Sequence, residues 1–306
     1  MKRSSLRFKL RFGYLLISCI GCWYMQQPVQ SLPVSGTRVL EVNGRIESGQ
    51  KLTVVQLKNE ARAIAVKVLS GYGGGSGILI KKQGQTYTIL TNQHVLAAGE
   101  SHRIQTPDGK IYPGELLKNQ SFDGNDLVLL QFRSASEYAV ARLASSPVAV
   151  GDEVFAAGFP GQDAAEKRAF EFLLGKVSFF CPKALAGGYQ IGYSNPVKKG
   201  MSGGPLLNSR GEVVGINGMH AYPVWGDPYV FKDGSKPNLP RDLMLQSSWA
   251  IPIETFVLLG NKSTGNVRIY SPTLSSDRET LGDRREGKHR GIAPTSSPRI
   301  PPGWLW

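Results

Sequence analysis

Cysteine is scarce in this sequence: the 306 residues hold three, and Cys19 and Cys22 both fall in the first apolar stretch. Only Cys181 remains in the body of the chain, so no internal disulfide can staple it and the fold must stand on its core. The neighbours Phe179, Phe180 and Pro182 are apolar, a setting that suits a buried, inert thiol rather than a nucleophile.

Acidic side chains are also in deficit, with 23 Asp and Glu against 36 Lys and Arg and a formal charge of +13. The excess sits at the two ends. Residues 1–31 carry five basic and no acidic side chains, and residues 261–306 carry eight basic and four acidic. The 229 residues between them hold 23 basic and 19 acidic groups, so the body of the chain is close to balanced. No nucleic-acid partner is expected, because the electrostatic footprint of such proteins lies on the fold itself.

A membrane-length apolar run is missing from the N-terminal stretch as well. Phe12 to Met25 spans fourteen residues, fewer than the roughly 20 needed to cross a bilayer. Lys2, Arg3, Arg7, Lys9 and Arg11 precede it, Gln26-Gln27-Pro28 closes it, and small Ser31 offers a cleavage position. Residues 1–31 therefore read as an export signal, placing the mature chain in a periplasmic or secreted setting with no stable membrane insertion. An uncleaved anchor and lipoprotein-type processing at Leu16-Ile17-Ser18-Cys19 are the alternatives.

With 41% hydrophobic and 19% charged residues, the composition is that of a globular protein. Helix-length patterns are few. Ten short apolar or alternating runs stand between glycine-rich turns: 63–69, 77–80, 87–91, 126–132, 153–157, 171–180, 189–193, 205–207, 212–217 and 248–251. They predict an all-β barrel or sandwich. One late helix is expected from Pro252, with Ile253, Phe256, Val257 and Leu259 on its buried face. From Asn261 the chain turns rich in Ser, Thr, Pro, Gly and Arg and ends in Trp304-Leu305-Trp306, which reads as a disordered tail. The expected organisation is a signal at 1–31, an N-terminal extension at 32–59, a domain at 60–260 and the tail at 261–306.

The densest chemical signal is Gly200-Met201-Ser202-Gly203-Gly204-Pro205. A serine hydroxyl needs a base to take its proton and donors to hold the oxyanion that forms. Gly200 lets its N–H turn toward the same point as the N–H of Ser202. The base candidate is His94, just past the apolar run Tyr87 to Leu90, where a scaffold commonly displays its working residues. Of the four histidines, His220 is the one rival, and its place 18 residues after Ser202 suits a pocket rim. The third group is a buried carboxylate that orients the imidazole. Asp126 opens the apolar strand Leu127 to Leu130, whereas Asp123 sits beside Gly124 and Asn125 in a turn, so Asp126 is preferred.

The order His94, Asp126, Ser202 in these contexts resembles the trypsin-like serine proteases of the chymotrypsin fold, the bacterial Deg/HtrA branch above all. Further similar segments are Gly73-Gly74-Gly75-Ser76-Gly77, Gly158-Phe159-Pro160-Gly161, Gly211 to Asn217 and Ala250-Ile251-Pro252. The resemblance covers about 200 residues. It implies two six-stranded antiparallel β-barrels packed together, with a His94-Asp126-Ser202 triad between them and an oxyanion hole from Gly200 and Ser202. It also implies substrate contacts from Pro196, Val197 and Asn217. Asn195 to Lys199 contain no carboxylate to receive a substrate lysine or arginine, so small or medium apolar residues are the expected preference. Lys198 and Lys199 read as a solvated turn, with a taste for acidic substrates as the other reading.

Deg-family chains usually continue into PDZ domains. Here 46 residues of low complexity follow residue 260, so peptide-tethered activation and cage assembly are not expected. The long segment 219–247 is either a surface excursion or a wall of the cleft. The expected activity is that of an exported endopeptidase on polypeptide substrates, working through an acyl-enzyme with no metal or organic cofactor. A non-catalytic binding module on the same fold is the alternative, and the oligomeric state is left open.

Overall fold

The computed structural model describes residues 50–118, 120–161, 168–223 and 228–263. The expected signal, most of the expected N-terminal extension and the bulk of the tail lie outside them. Described first is a helix that the strand pattern did not announce, α1 at Val54–Ile64. Thr53 caps it by accepting the N–H of Gln56, while the Gln56 side chain accepts the N–H of Thr53 in return. Leu57, Ala61 and Ile64 recur at helical spacing and are buried. The helix straddles residue 60, where the domain was expected to begin.

Six strands follow: β1 (Ala65–Ser70), β2 (Gly73–Gln83), β3 (Thr86–Thr91), β4 (His102–Gln105), β5 (Ile111–Leu116) and β6 (Val128–Arg133). They close in the order β1-β2-β3-β6-β5-β4. The second set comprises β7 (Glu153–Gly158), β8 (Glu171–Phe180), β9 (Ile191–Tyr193), β10 (Pro205–Leu207), β11 (Val213–Met219) and β12 (Ser248–Pro252). They close in the order β10-β11-β12-β9-β8-β7. All strand pairings within both barrels are antiparallel, so the expected pair of six-stranded barrels is what the chain forms.

Two strands escaped the sequence reading. β4 is four residues long and polar apart from buried Ile104, and half-exposed β5 is broken by Pro113-Gly114, which weakens any strand signal. Their place comes from backbone pairing with β1 and β6. A short helix, α2 (Arg241–Gln246), precedes β12. The last helix, α3 (Ile253–Ser263), begins where expected and runs past the change of composition at Asn261. Ile253 and Phe256 are buried in its inner face, and Phe256 packs against Phe122 with ring centroids 6.0 Å apart.

One large core joins α1, α3 and the second barrel, and a smaller one fills the first barrel around Val66, Ile89 and Leu130. Trp249 of β12 is fully buried, and its indole N–H donates to the carbonyl of Met244 at 3.1 Å. That bond removes the penalty of enclosing a polar atom in an apolar site. Cys181 is likewise buried, and burial pushes its thiol pKa up. Among the described residues no helix is long and apolar enough to cross a membrane.

Candidate active site

The first barrel supplies two residues of the site from adjacent strands. β3 ends at Thr91, whose hydroxyl donates to the carbonyl of Ser76 at 2.7 Å. The chain then turns through Asn92 into a 3-10 turn at Gln93–Leu96, which presents His94. Buried Asn92 donates from Nδ2 to the carbonyl of Asp126 at 2.8 Å, binding the turn to the residue that leads into β6. Asp126 is 4% exposed.

The carboxylate and the imidazole meet closely. His94 Nδ1 lies 2.5 Å from Asp126 Oδ2, and the backbone N–H of His94 donates to Oδ1 at 2.9 Å. The Tyr189 hydroxyl also donates to Oδ2, at 2.5 Å. Burial by itself would raise the Asp126 pKa, yet the charge and hydrogen bonds of His94, with the Tyr189 hydroxyl, carry it below the usual carboxylate value. Asp123 takes no part and stands in a turn with φ of 51°.

The second barrel supplies the serine, on the loop between β9 and β10. Lys199 accepts the N–H of Gly161 at 2.9 Å, which turns the N–H of Gly200 to the opposite side of their shared peptide plane. Gly200 has φ of +91°, and a Cβ there would fall 2.4 Å from the carbonyl oxygen of Gly161, so both conformation and space demand glycine. Buried Ser76 reaches across from β2. Its Oγ donates to the carbonyl of Gly200 at 2.8 Å and accepts the N–H of Phe159 at 2.9 Å, and its N–H donates to the carbonyl of Ser202 at 2.8 Å. The Ser202 hydroxyl donates to the carbonyl of Gly218 at 3.0 Å.

His94, Gly200 and Ser202 line one cavity, together with Lys199, Gly218 and His220. The cavity's lining contains no carboxylate among the described residues. The two adjacent lysines have different surroundings. Lys198 is exposed and pairs with both carboxylate oxygens of Glu171 at 2.8 and 2.9 Å, whereas half-buried Lys199 faces the cavity. His220 lies on the rim as its position implied, with Nδ1 2.8 Å from the carbonyl of Ala221.

Pro196, Val197 and Asn217, expected to contact substrate, stand elsewhere, since none of the three lines this cavity. Pro196 is exposed and Val197 belongs to the core. Asn217 is fully buried on β11, where its side chain donates to the carbonyls of Ala157 and Pro205 and accepts the Tyr193 hydroxyl. It pins neighbouring strands together and has no free face. Tyr189, Ser76, Asn92 and Gly218 were not found from sequence, because each acts through a partner far away in the chain. No group of three or more His, Cys, Asp or Glu side chains among the described residues is arranged to hold a metal.

Residues 75–216 match the family model of the trypsin-like peptidase domain. The serine protease Do-like HtrA of Bacillus subtilis is 32% identical over 152 residues, which are 48% of this chain and 33% of that protein. The periplasmic pH-dependent serine endoprotease DegQ of Escherichia coli is 31% identical over 203 residues, 63% of this chain and 43% of that one. The putative serine protease HhoA of Synechocystis is 34% identical over 154 residues, with shares of 47% and 36%. The chain thus spans between about a third and somewhat under a half of the length of these relatives.

Proposed function

We propose that this chain, which carries a trypsin-like peptidase domain and has Deg/HtrA serine proteases among its relatives, is an exported endopeptidase that cleaves polypeptides through an acyl-enzyme. The observation that carries the reading is the short contact of Asp126 with His94, the imidazole that lines the same cavity as Ser202 and Gly200.

In this mechanism Ser202 Oγ attacks the scissile carbonyl as its proton passes to His94 Nε2. The hydroxyl must first leave its bond to Gly218, a rotation about one side-chain torsion. Asp126 fixes the imidazole with Nδ1 protonated and stabilises the imidazolium. The N–H groups of Gly200 and Ser202 receive the oxyanion; neither donates to another described residue, so both are available to a ligand. His94 then returns the proton to the departing amine, and water repeats the sequence to release the acyl group. With no carboxylate among the described residues that line the cavity to neutralise a basic side chain, small or medium apolar residues fit at the cleavage site. The signal-like residues 1–31 support export, as does the word periplasmic in the name of one relative.

A fluorophosphonate probe tests the assignment directly. It should label the full chain at Ser202, with labelling lost in Ser202→Ala and reduced by orders of magnitude in His94→Ala. Peptide hydrolysis should fall in parallel, leaving about 10³–10⁴-fold over water. A folded wild-type protein that neither labels nor cleaves casein would instead be a binding module on the protease fold.

A further inference from the structure

We propose that Tyr189 is a positioning residue of this site, holding the Asp126 carboxylate with its hydroxyl and packing its ring against the Cα of Gly218. The proposal rests on the reading of Ser202, His94 and Asp126 as a triad. Tyr189 belongs to the tight turn between β8 and β9, closed by the N–H of Gly188 donating to Leu185 and the N–H of Leu185 donating to Tyr189, both at 2.9 Å. The same turn holds the main chain of Asp126, whose N–H donates to the carbonyl of Gly187 at 2.9 Å. One turn of the second barrel thus grips both the backbone and the carboxylate of a residue in the first.

The direction of the side-chain bond is fixed by chemistry. Tyr189 is 0% exposed, and burial together with the Asp126 charge raises its phenol pKa well above the ordinary value. It remains an O–H donor, and a buried hydroxyl without a partner would carry a desolvation cost. Its acceptor, Oδ2, is the oxygen that also faces His94 Nδ1. The phenol and the imidazole therefore share one oxygen, and the phenol withdraws some of the charge that the imidazolium would otherwise feel. Among the described residues Tyr193, whose hydroxyl donates to Asn217, also acts on the Tyr189 phenol, and Lys199 and His220 line the cavity with His94.

The ring has its own task. A Cβ added at Gly218 would fall 2.2 Å from Tyr189 Cε1 and 2.4 Å from its hydroxyl oxygen. Gly218 is the residue whose carbonyl accepts the Ser202 hydroxyl. A single stiff side chain thus registers the carboxylate on one side and the serine's acceptor on the other. A tyrosine serving only as core filler would need the ring but not the hydroxyl.

Tyr189→Phe in the full chain separates these roles. Loss of a hydrogen bond to a charged group should lower kcat by about tenfold. KM should stay unchanged, because Tyr189 does not line the cavity. With Oδ2 left to His94 alone, the acid limb of kcat/KM should move to higher pH and the His94 Nδ1 proton resonance should move downfield. That resonance needs no turnover, so it reports on Tyr189 even if the chain hydrolyses nothing. A folded Tyr189→Phe protein with the resonance of the wild type overturns the proposal. Should the variant not fold by circular dichroism, 3-fluorotyrosine placed at position 189 keeps the shape and strengthens the donor. The resonance should then move upfield, and no movement overturns the proposal equally.

Discussion

Ser76 Oγ lies 2.8 Å from the carbonyl oxygen of Gly200, a residue 124 positions further along the chain. A strand of the first barrel therefore holds the serine-bearing loop of the second by a side-chain bond. Ser76→Ala leaves the Gly200 carbonyl and the buried N–H of Phe159 without that partner. The expected cost is about 1–3 kcal/mol of stability, the penalty for unsatisfied buried groups. Urea denaturation measures it, and a coincident unfolding curve would show that the bond carries nothing.

The start of the folded unit is open to a similar test. Leu57 on α1 is fully buried and sits ahead of residue 60. A chain beginning at Glu60 loses that side chain and the Thr53 cap, whereas one beginning at Gln50 keeps both. Removing a buried leucine costs about 2–5 kcal/mol, and a helix cap roughly 1 more. The shorter chain should melt well below the longer one by calorimetry. Equal melting temperatures would exclude α1 from the cooperative unit.

Glu254, in the first turn of α3, has its carboxyl pKa raised by burial, and Oε1 has no hydrogen-bond partner among the described residues. A raised carboxylate pKa means that the folded state holds its proton more tightly than the unfolded state. Stability is therefore largest below the unfolded value of about 4.3 and falls as pH rises through the folded one. Glu254→Gln removes that loss. The variant should be more stable than the wild type at pH 7 and indistinguishable from it near pH 3.5, as thermal melts at the two values would reveal.

The two lysines before Gly200 should have unequal effects on substrate choice. Lys199 faces the cavity while Lys198 is held by Glu171 at the surface. Lys199→Glu should improve kcat/KM for peptides bearing lysine near the scissile bond by about fivefold, the equivalent of 1 kcal/mol of charge interaction. Lys198→Glu should change it by less than twofold. Equal effects from both variants would place the selectivity outside this cavity.

The sequence is most legible where one segment carries its own signal. His94, Asp126 and Ser202 stood out because each follows or opens an apolar run, or sits among glycines. Strands β4 and β5 were illegible since β4 is short and mostly polar and β5 is interrupted by Pro113-Gly114, and their register is borrowed from β1 and β6. Tyr189 read as the first residue of a strand, yet the strand begins at Ile191 and the tyrosine belongs to a turn. Asn217 was named as a substrate contact on the family resemblance alone. Its hydrogen bonds to Tyr193, Ala157 and Pro205 come from distant segments, and no local pattern announces them.

The strand order of the second barrel carries a consequence for synthesis. β12, the last strand among the described residues, lies between β11 and β9. Until residues 248–252 have been made, β9 and β11 present open edges to each other and the barrel has a gap. The turn carrying Tyr189 leads directly into β9, and Gly218 lies on β11, so the supports of the cavity belong to the two strands that wait longest for their partner. A growing or partly threaded chain therefore holds His94, Asp126 and Ser202 without a finished place to bring them together. The order in which the polypeptide appears keeps the site unassembled until the fold is nearly whole.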